Sequence, residues 1–474
     1  MIPATLTDLA EAVGGTVVDG HSGAVVDGAA FLDSRMPVQG GLFVAFAGEH
    51  VDGHDFAEQA VTGGATGVLG TRATGVPTVL VADAQAALQE LARWHLLRVR
   101  RLQPITVVAI TGSQGKTSAK DMLAQVFADA APTIATAGSF NNELGLPLTV
   151  LRATDETRFL VLEMGARGIG HLNELCGIAP PDLALVLNVG KAHIGEFGSQ
   201  ANIAQAKGEI VEALGPTGTA VLNADDPLVL AMADRSSAPV LTFGRADTAG
   251  VRITDVGVDD LDRASFDLTY NGVTEHVALR LVGEHQASNA AATAATALAA
   301  GLPLDRVAAS LATIERLSPW RMEVHERSDG LVVLNDAYNA NPDSMASALE
   351  TLARMGGRGG RRTVAVLGEM RELGPSAEEE HRAIGALAHR LGIDEIVVVG
   401  EGARPIHGAV AEARGDGTTR HVETVDDVAE WLRENVAGPD VVLVKASRAG
   451  RLERVADLLL EEDRAHDEGE ESGR

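Results

Sequence analysis

Cysteine is all but missing from this chain. Cys176 stands alone, so no disulfide can close within it, which agrees with a reducing compartment. Aromatic residues are scarce too, at 3% of the 474 residues, while Ala, Val, Gly and Leu abound. That mixture suits large α/β domains with buried strands of small branched side chains. Positive charge is outnumbered: 39 Lys and Arg face 66 Asp and Glu, for a net charge of −27. Such a surface repels phosphate backbones and argues against nucleic acid as a partner; its plainest meaning is solubility. Long apolar runs are also lacking. The best candidate, residues 290–300, is an alanine-rich helix interrupted by threonines, so no membrane insertion is expected. Residues 1–15 have no basic start followed by an apolar stretch, so no signal peptide is read there. A soluble, cytoplasmic, monomeric protein is expected.

The length predicts about three domains. Residues 1–103 form a first unit, ending in a helical stretch at 84–101 and a break at Gln103-Pro104. A second unit, 104–315, opens with the buried-strand pattern at 105–110 and continues with apolar runs at 159–162, 183–187 and 219–222. A third, 316–462, repeats the pattern at 331–334, 363–367, 395–399 and 441–444. Strands alternating with helices predict parallel sheets. Residues 463–474 are charged and poor in apolar side chains, and read as a disordered acidic tail. Polar residues follow these strands repeatedly: Glu163, Asn188 and Asn223 in the second unit, Asp336, Glu369 and Lys445 in the third. One alone would be a helix cap. Their recurrence on two sheets predicts a cleft beyond the carboxyl ends of the strands, between units.

The first strand of the second unit runs into Thr111-Gly112-Ser113-Gln114-Gly115-Lys116-Thr117-Ser118, and a helical pattern follows. Glycines let backbone N–H groups converge on phosphate oxygens, and the helix N-terminus adds positive potential. Lys116 is placed to reach the outer phosphates and Thr117 to ligate Mg²⁺. The spacing is short. Only two residues separate the glycines, and the position where the general loop wants glycine is Ile110.

This shorter loop resembles that of the Mur ligase family, which includes the folylpolyglutamate synthetases, and the resemblance covers nearly the whole chain. In the second unit it extends through Asn141-Asn142-Glu143-Leu144-Gly145-Leu146-Pro147, Glu163-Met164-Gly165, Asn188 through His193, Lys207, Asn223-Ala224-Asp225-Asp226-Pro227, and Gly283-Glu284-His285 through Asn289. In the third unit, Asp336-Ala337-Tyr338-Asn339-Ala340-Asn341-Pro342-Asp343-Ser344-Met345 looks like the branch that adds D-alanyl-D-alanine to a UDP-N-acetylmuramoyl-tripeptide. Gly368-Glu369-Met370 and Lys445-Ala446-Ser447-Arg448 fit that branch, as do Asp33-Ser34-Arg35 and Asp52-Gly53-His54-Asp55-Phe56 in the first unit. The Asp-Asn-Pro-Arg motif usual in the diaminopimelate-adding relative is absent. Two positions depart from the pattern: Trp320 precedes Arg321-Met322 where the family usually has glycine, and Ser139 replaces a frequent asparagine.

The resemblance implies a fold of three α/β domains: a small one for the UDP-substrate, a central phosphate-loop domain with a parallel sheet, and a Rossmann-like C-terminal domain. It implies an ATP- and Mg²⁺-dependent ligase of peptidoglycan precursor synthesis that activates a carboxylate as an acyl phosphate. Lys116, Glu163, His193 and Lys207 are then the catalytic set. ATP would be held by Thr111 through Ser118 and by His285, Asn289, Arg321 and Asp336. Metal would sit on Thr117, Glu163, His193 and Lys207, the last carbamylated, because a lysine ammonium cannot ligate a cation. Ser34, Arg35, Asn141 and Asn142 would take the UDP-substrate. His381 and Glu369 are positional candidates for the base that deprotonates the amine. Taken singly, His193 reads as a structural or surface histidine, Lys207 as a solvated helix lysine and Glu163 as a helix cap. Two other activities share the loop: the diaminopimelate- or lysine-adding ligase, and an ATPase acting as regulator or motor.

Overall fold

The computed structural model describes residues 1–48, 51–138, 140–190, 197–414 and 419–460. Ser139, His193 and the tail at 463–474 lie outside them.

The central element is a nine-stranded sheet. Its parallel part runs Thr133–Ala135, Phe159–Glu163, Thr106–Thr111, Leu183–Val186, Thr219–Asn223, Val240–Gly244 and Val251–Val258 across the sheet. In Thr106–Thr111 the side chains alternate between two cores. Val107 and Ala109 face one, Val108 and Ile110 the other, and all four are fully buried. A strand covered on both faces reads as a continuous apolar run, which is why the sequence shows it so clearly. The antiparallel strands Arg263–Tyr270 and Val273–Val282 extend the sheet. In Arg263–Tyr270 the half-buried Arg263, Asp267 and Thr269 alternate with buried Phe266 and Leu268, so no apolar run marks it.

The first unit has a five-stranded sheet, ordered Thr16–Val18, Thr78–Leu80, Gly67–Gly70, Leu42–Val44 and Ala30–Phe31. Its last helix, Ala84–Leu102, starts where the Asp83 carboxylate accepts from the N–H groups of Gln85 and Ala86, and ends before Gln103-Pro104. Apolar residues recur every three or four positions, and Leu88, Leu91, Ala92, Leu96 and Val99 are all buried. Burying each such Leu is worth roughly 1.5–3 kcal/mol. The partners lie on both sides of the boundary read from sequence. Leu6 and Leu9 belong to the first unit, but Leu146, Leu172 and Leu175 belong to the second, all in one continuous core. Polar contacts reinforce the union. His95 donates from Nε2 to the Ala153 carbonyl at 2.8 Å, and Arg100 pairs with Asp182 at 3.0 Å.

The third unit is built on a six-stranded sheet ordered Glu323–Glu326, Val332–Asp336, Val441–Lys445, Thr363–Leu367, Glu395–Val399 and Thr419–Val422, parallel except at the first pair. Its helix Pro342–Gly359 is fixed at the start by a capping box between Asn341 and Ser344 and at the end by Gly360 at φ +60°. Among the described residues no helix is long and apolar enough to cross a membrane.

Candidate active site

The loop predicted from sequence sits at the carboxyl end of Thr106–Thr111 and feeds helix Lys116–Ala128. Both glycines are sterically required. Gly115 adopts φ +76°, and a Cβ there would lie 2.5 Å from Asn289 Oδ1. A Cβ on Gly112 would lie 2.9 Å from the Leu187 Cβ. The short loop is therefore packed between the neighbouring strand end and helix Gln286–Ala299. Asn188 pins it further, accepting from the Gln114 N–H at 2.9 Å and donating to the Gln114 carbonyl at 3.2 Å. In the sequence Asn188 is legible as a strand-end residue and as part of the segment running to His193; its grip on the loop is not.

Ser113 through Ser118 line a cleft of about 560 Å³. Asn141, Asn142, Glu163 and Lys207 line it from the same unit, and so do His285 and Asn289. Arg321, Asp336 and Lys445 close it from the third unit. Thr111 lies beneath, fully buried, its hydroxyl donating to the Met164 carbonyl at 3.0 Å. Ser34 and Arg35 do not line this cleft. The Ser34 hydroxyl donates to Gln59 at 3.3 Å, and Arg35 is folded onto Asp33 at 2.6 Å.

At the cleft floor the Thr117 hydroxyl donates to Glu163 Oε2 at 2.8 Å, and Asn141 Nδ2 donates to Glu163 Oε1 at 2.8 Å. Glu163 is buried and caps no helix. A hydroxyl and a carboxylate oxygen converging beside a phosphate loop form a hard donor set that fits Mg²⁺. The Lys116 ammonium donates to the Gly112 carbonyl at 2.7 Å. Burial pulls its pKa down, the Glu163 carboxylate opposes this, and Arg321 adds to the fall.

Lys207 is the clearest departure from a single-residue reading. It is 6% exposed on helix Gln200–Glu212, not solvated, and no hydrogen bond or ion pair joins it to another described residue. Burial, reinforced by the Lys116 charge, holds its ammonium well below the usual lysine range and favours the neutral amine.

On the opposite wall, Asp336 and Lys445 end adjacent strands in register and form an ion pair. Lys445 is 1% exposed and also donates to the Asn339 carbonyl at 3.0 Å. Asp336 accepts the Met322 N–H at 3.1 Å. The Arg321 guanidinium lies 4.2 Å from the centre of the Tyr338 ring, with its buried Nε lacking a hydrogen-bond partner among the described residues. Trp320 keeps a glycine-like backbone at φ +61°, and its ring carries the Arg448 guanidinium at 4.1 Å.

The two candidate bases are not part of this cleft. His381 is buried with both ring nitrogens engaged: Nε2 accepts from the Met370 N–H at 2.9 Å, and Nδ1 meets the Ala377 carbonyl at 2.6 Å. It has no free lone pair for a proton. Glu369 is held by Arg371 at 3.1 Å.

Three family models match in order along the chain: the Mur ligase family catalytic domain over residues 30–111, the Mur ligase middle domain over 110–297, and the Mur ligase glutamate ligase domain over 320–448. The chain is 43% identical to the UDP-N-acetylmuramoyl-tripeptide--D-alanyl-D-alanine ligase of Mycobacterium tuberculosis, covering 98% of this chain and 99% of that one. Its structure is similar to that of MurF from Acinetobacter baumannii, with a TM-score of 0.84 at 29% identity over 96% of this chain and 98% of that one. It is also similar to MurF ligase from Thermotoga maritima in complex with ADP, with a TM-score of 0.79 at 30% identity over 92% and 98%. With a phosphate loop, a buried carboxylate and a buried lysine gathered in one cleft, and with this likeness along nearly its whole length, the chain belongs to the Mur ligase family.

Proposed function

We propose that this protein is the ATP-dependent ligase that joins D-alanyl-D-alanine to a UDP-N-acetylmuramoyl-tripeptide. The observation that carries the reading is the composite cleft: loop, Glu163 and Lys207 on one wall, Arg321, Asp336 and Lys445 on the other. The names of the relatives supply the substrates.

A carboxylate is a poor electrophile at neutral pH. Transfer of the terminal phosphoryl group of ATP to a peptide carboxylate oxygen gives an acyl phosphate and releases ADP. Attack by the dipeptide amine on its carbonyl carbon then forms the amide, expels phosphate and releases the amine's extra protons. For such chemistry a protein mainly positions groups and balances charge. Lys116 and the loop N–H groups would neutralise the outer phosphates. Thr117 and Glu163 would hold Mg²⁺, which supplies electrostatic stabilisation of the transferring group. A Lys207 side chain freed of its ammonium proton would add to carbon dioxide, losing a further proton and becoming an anionic oxygen donor for a second cation; its companion His193 lies outside the described residues. Asn141 orients Glu163, Asn289 packs against the loop at Gly115, and His285 lines the cleft where a nucleoside would lie. Ser34 and Arg35, away from this cleft, would serve the UDP end of the long substrate. The reading is of a cytoplasmic enzyme acting as a monomer.

The test is phosphate release with ATP, UDP-tripeptide and dipeptide supplied in all combinations. Release should require all three. Vigorous ATP hydrolysis without the dipeptide, or ligation of diaminopimelate or lysine in its place, would overturn the reading.

A further inference from the structure

We propose that Arg354 and Asp262 are positioning residues for the nucleotide, their ion pair holding the third unit closed over the phosphate loop. Asp262 lies in the turn between Val251–Val258 and Arg263–Tyr270 of the central sheet, at φ +57°. Its side chain is wholly shielded from solvent. Arg354 projects from helix Pro342–Gly359 of the third unit and donates from Nε and Nη2 to the two Asp262 oxygens, each at 2.8 Å. One turn further, Arg358 donates to the carbonyls of Val258 at 3.3 Å and Asp259 at 3.1 Å.

Both ends of this clamp lead to the cleft. The Asp262 carbonyl accepts the Gly283 N–H at 2.9 Å, just ahead of His285, Gln286 and Asn289. Helix Pro342–Gly359 brings Ser344 and Ser347 to the cleft from the other side, with the Ser347 hydroxyl 3.4 Å from His285 Nδ1. The ion pair therefore sets the spacing of the two walls. A bidentate guanidinium suits this role because it fixes orientation as well as distance. Arg358 also stands 3.9 Å from the Asp262 carboxylate. A carboxylate shut away from water is tolerated only while its cationic partners are present, and both come from the third unit, so the clamp favours the closed arrangement over any in which the units separate. A ligand that binds only the closed state loses apparent affinity in proportion to the closed fraction.

The kinetic arm rests on the ligase reading; the scattering arm does not. Arg354→Met, Arg354→Lys and Asp262→Asn are compared with wild type, Asn being at home in a left-handed turn. KM for ATP should rise at least about fivefold in Arg354→Met and Asp262→Asn. KM for the UDP-substrate should be unchanged, and Arg354→Lys should fall between. Small-angle scattering with Mg²⁺ and AMP-PNP should show wild type more compact than either charge-removing variant. Folded variants with wild-type KM for ATP and wild-type scattering would overturn the proposal. So would a uniform fall in kcat with every KM intact. If wild type fails to ligate, the scattering comparison still decides.

Discussion

Trp320 shows how much backbone geometry one residue can conceal. A left-handed φ for a bulky side chain costs roughly 1–3 kcal/mol, and stacking on Arg448 returns about 0.5–1 kcal/mol. Trp320→Gly should therefore change stability by less than about 1 kcal/mol, because relief of strain offsets the lost stack and the added freedom of the unfolded chain. Trp320→Val should destabilise by about 2 kcal/mol, since a β-branched residue tolerates this φ worst. Urea unfolding of the two variants decides; equal losses would remove strain from the account. Lys116 and Lys207 give a sharper contrast. Lys116→Ala should abolish phosphoryl transfer while UDP-substrate binding persists by calorimetry. Lys207→Ala should abolish ligation, and added bicarbonate should not restore it, because no amine remains to be modified. Lys116 was legible because its loop is local, a strand, two glycines and a helix start. The burial of Lys207 was not, because it comes from packing against elements distant in sequence. The same holds for His381, a plausible base until Met370 and Ala377 are seen to occupy both its nitrogens.

At the scale of elements, the helix Ala84–Leu102 carries a pH response. Burial holds the His95 imidazole down at about 4, against an ordinary value of 6.5. Protonation would place a new N–H at Nδ1, which is buried and has no acceptor among the described residues. Between these values the unfolded chain binds more protons than the folded one, so stability rises with pH across the window and is lost as pH falls from 6.5 towards 4. The full effect below the window, from a difference of 2.5, is on the order of 3 kcal/mol. His95→Gln, which keeps a donor for the Ala153 carbonyl, should flatten the dependence of unfolding free energy on pH between 7 and about 4.5. A slope equal to wild type would contradict this. The elements legible in the sequence follow from the same packing logic. Strands sandwiched on both faces, such as Phe159–Glu163 and Thr363–Leu367, show as apolar runs. The half-exposed strands Val251–Val258, Arg263–Tyr270 and Val273–Val282 do not, and with them the turn bearing Asp262 went unread.

At the scale of the whole molecule, the boundary at residue 103 is a break in helix, not in packing. Leu88, Leu91 and Leu96 share one core with Leu146, Leu172 and Leu175. A fragment of residues 1–103 should therefore lack cooperative unfolding and bind hydrophobic dyes, whereas a fragment of residues 1–315 should unfold in a single transition. Near-ultraviolet circular dichroism and calorimetry of the two fragments would check this; a well-folded 1–103 fragment would show that the shared core is dispensable. The shared core also bears on biosynthesis. As the chain leaves the ribosome, the first unit emerges with a leucine-lined helix several of whose partners, Leu146, Leu172 and Leu175 among them, have not yet been translated. It must wait, its apolar stripe open to chaperones, until the segment through Ile178 has followed it out. The order of synthesis thus makes completion of the first unit depend on folding of the unit that bears the phosphate loop.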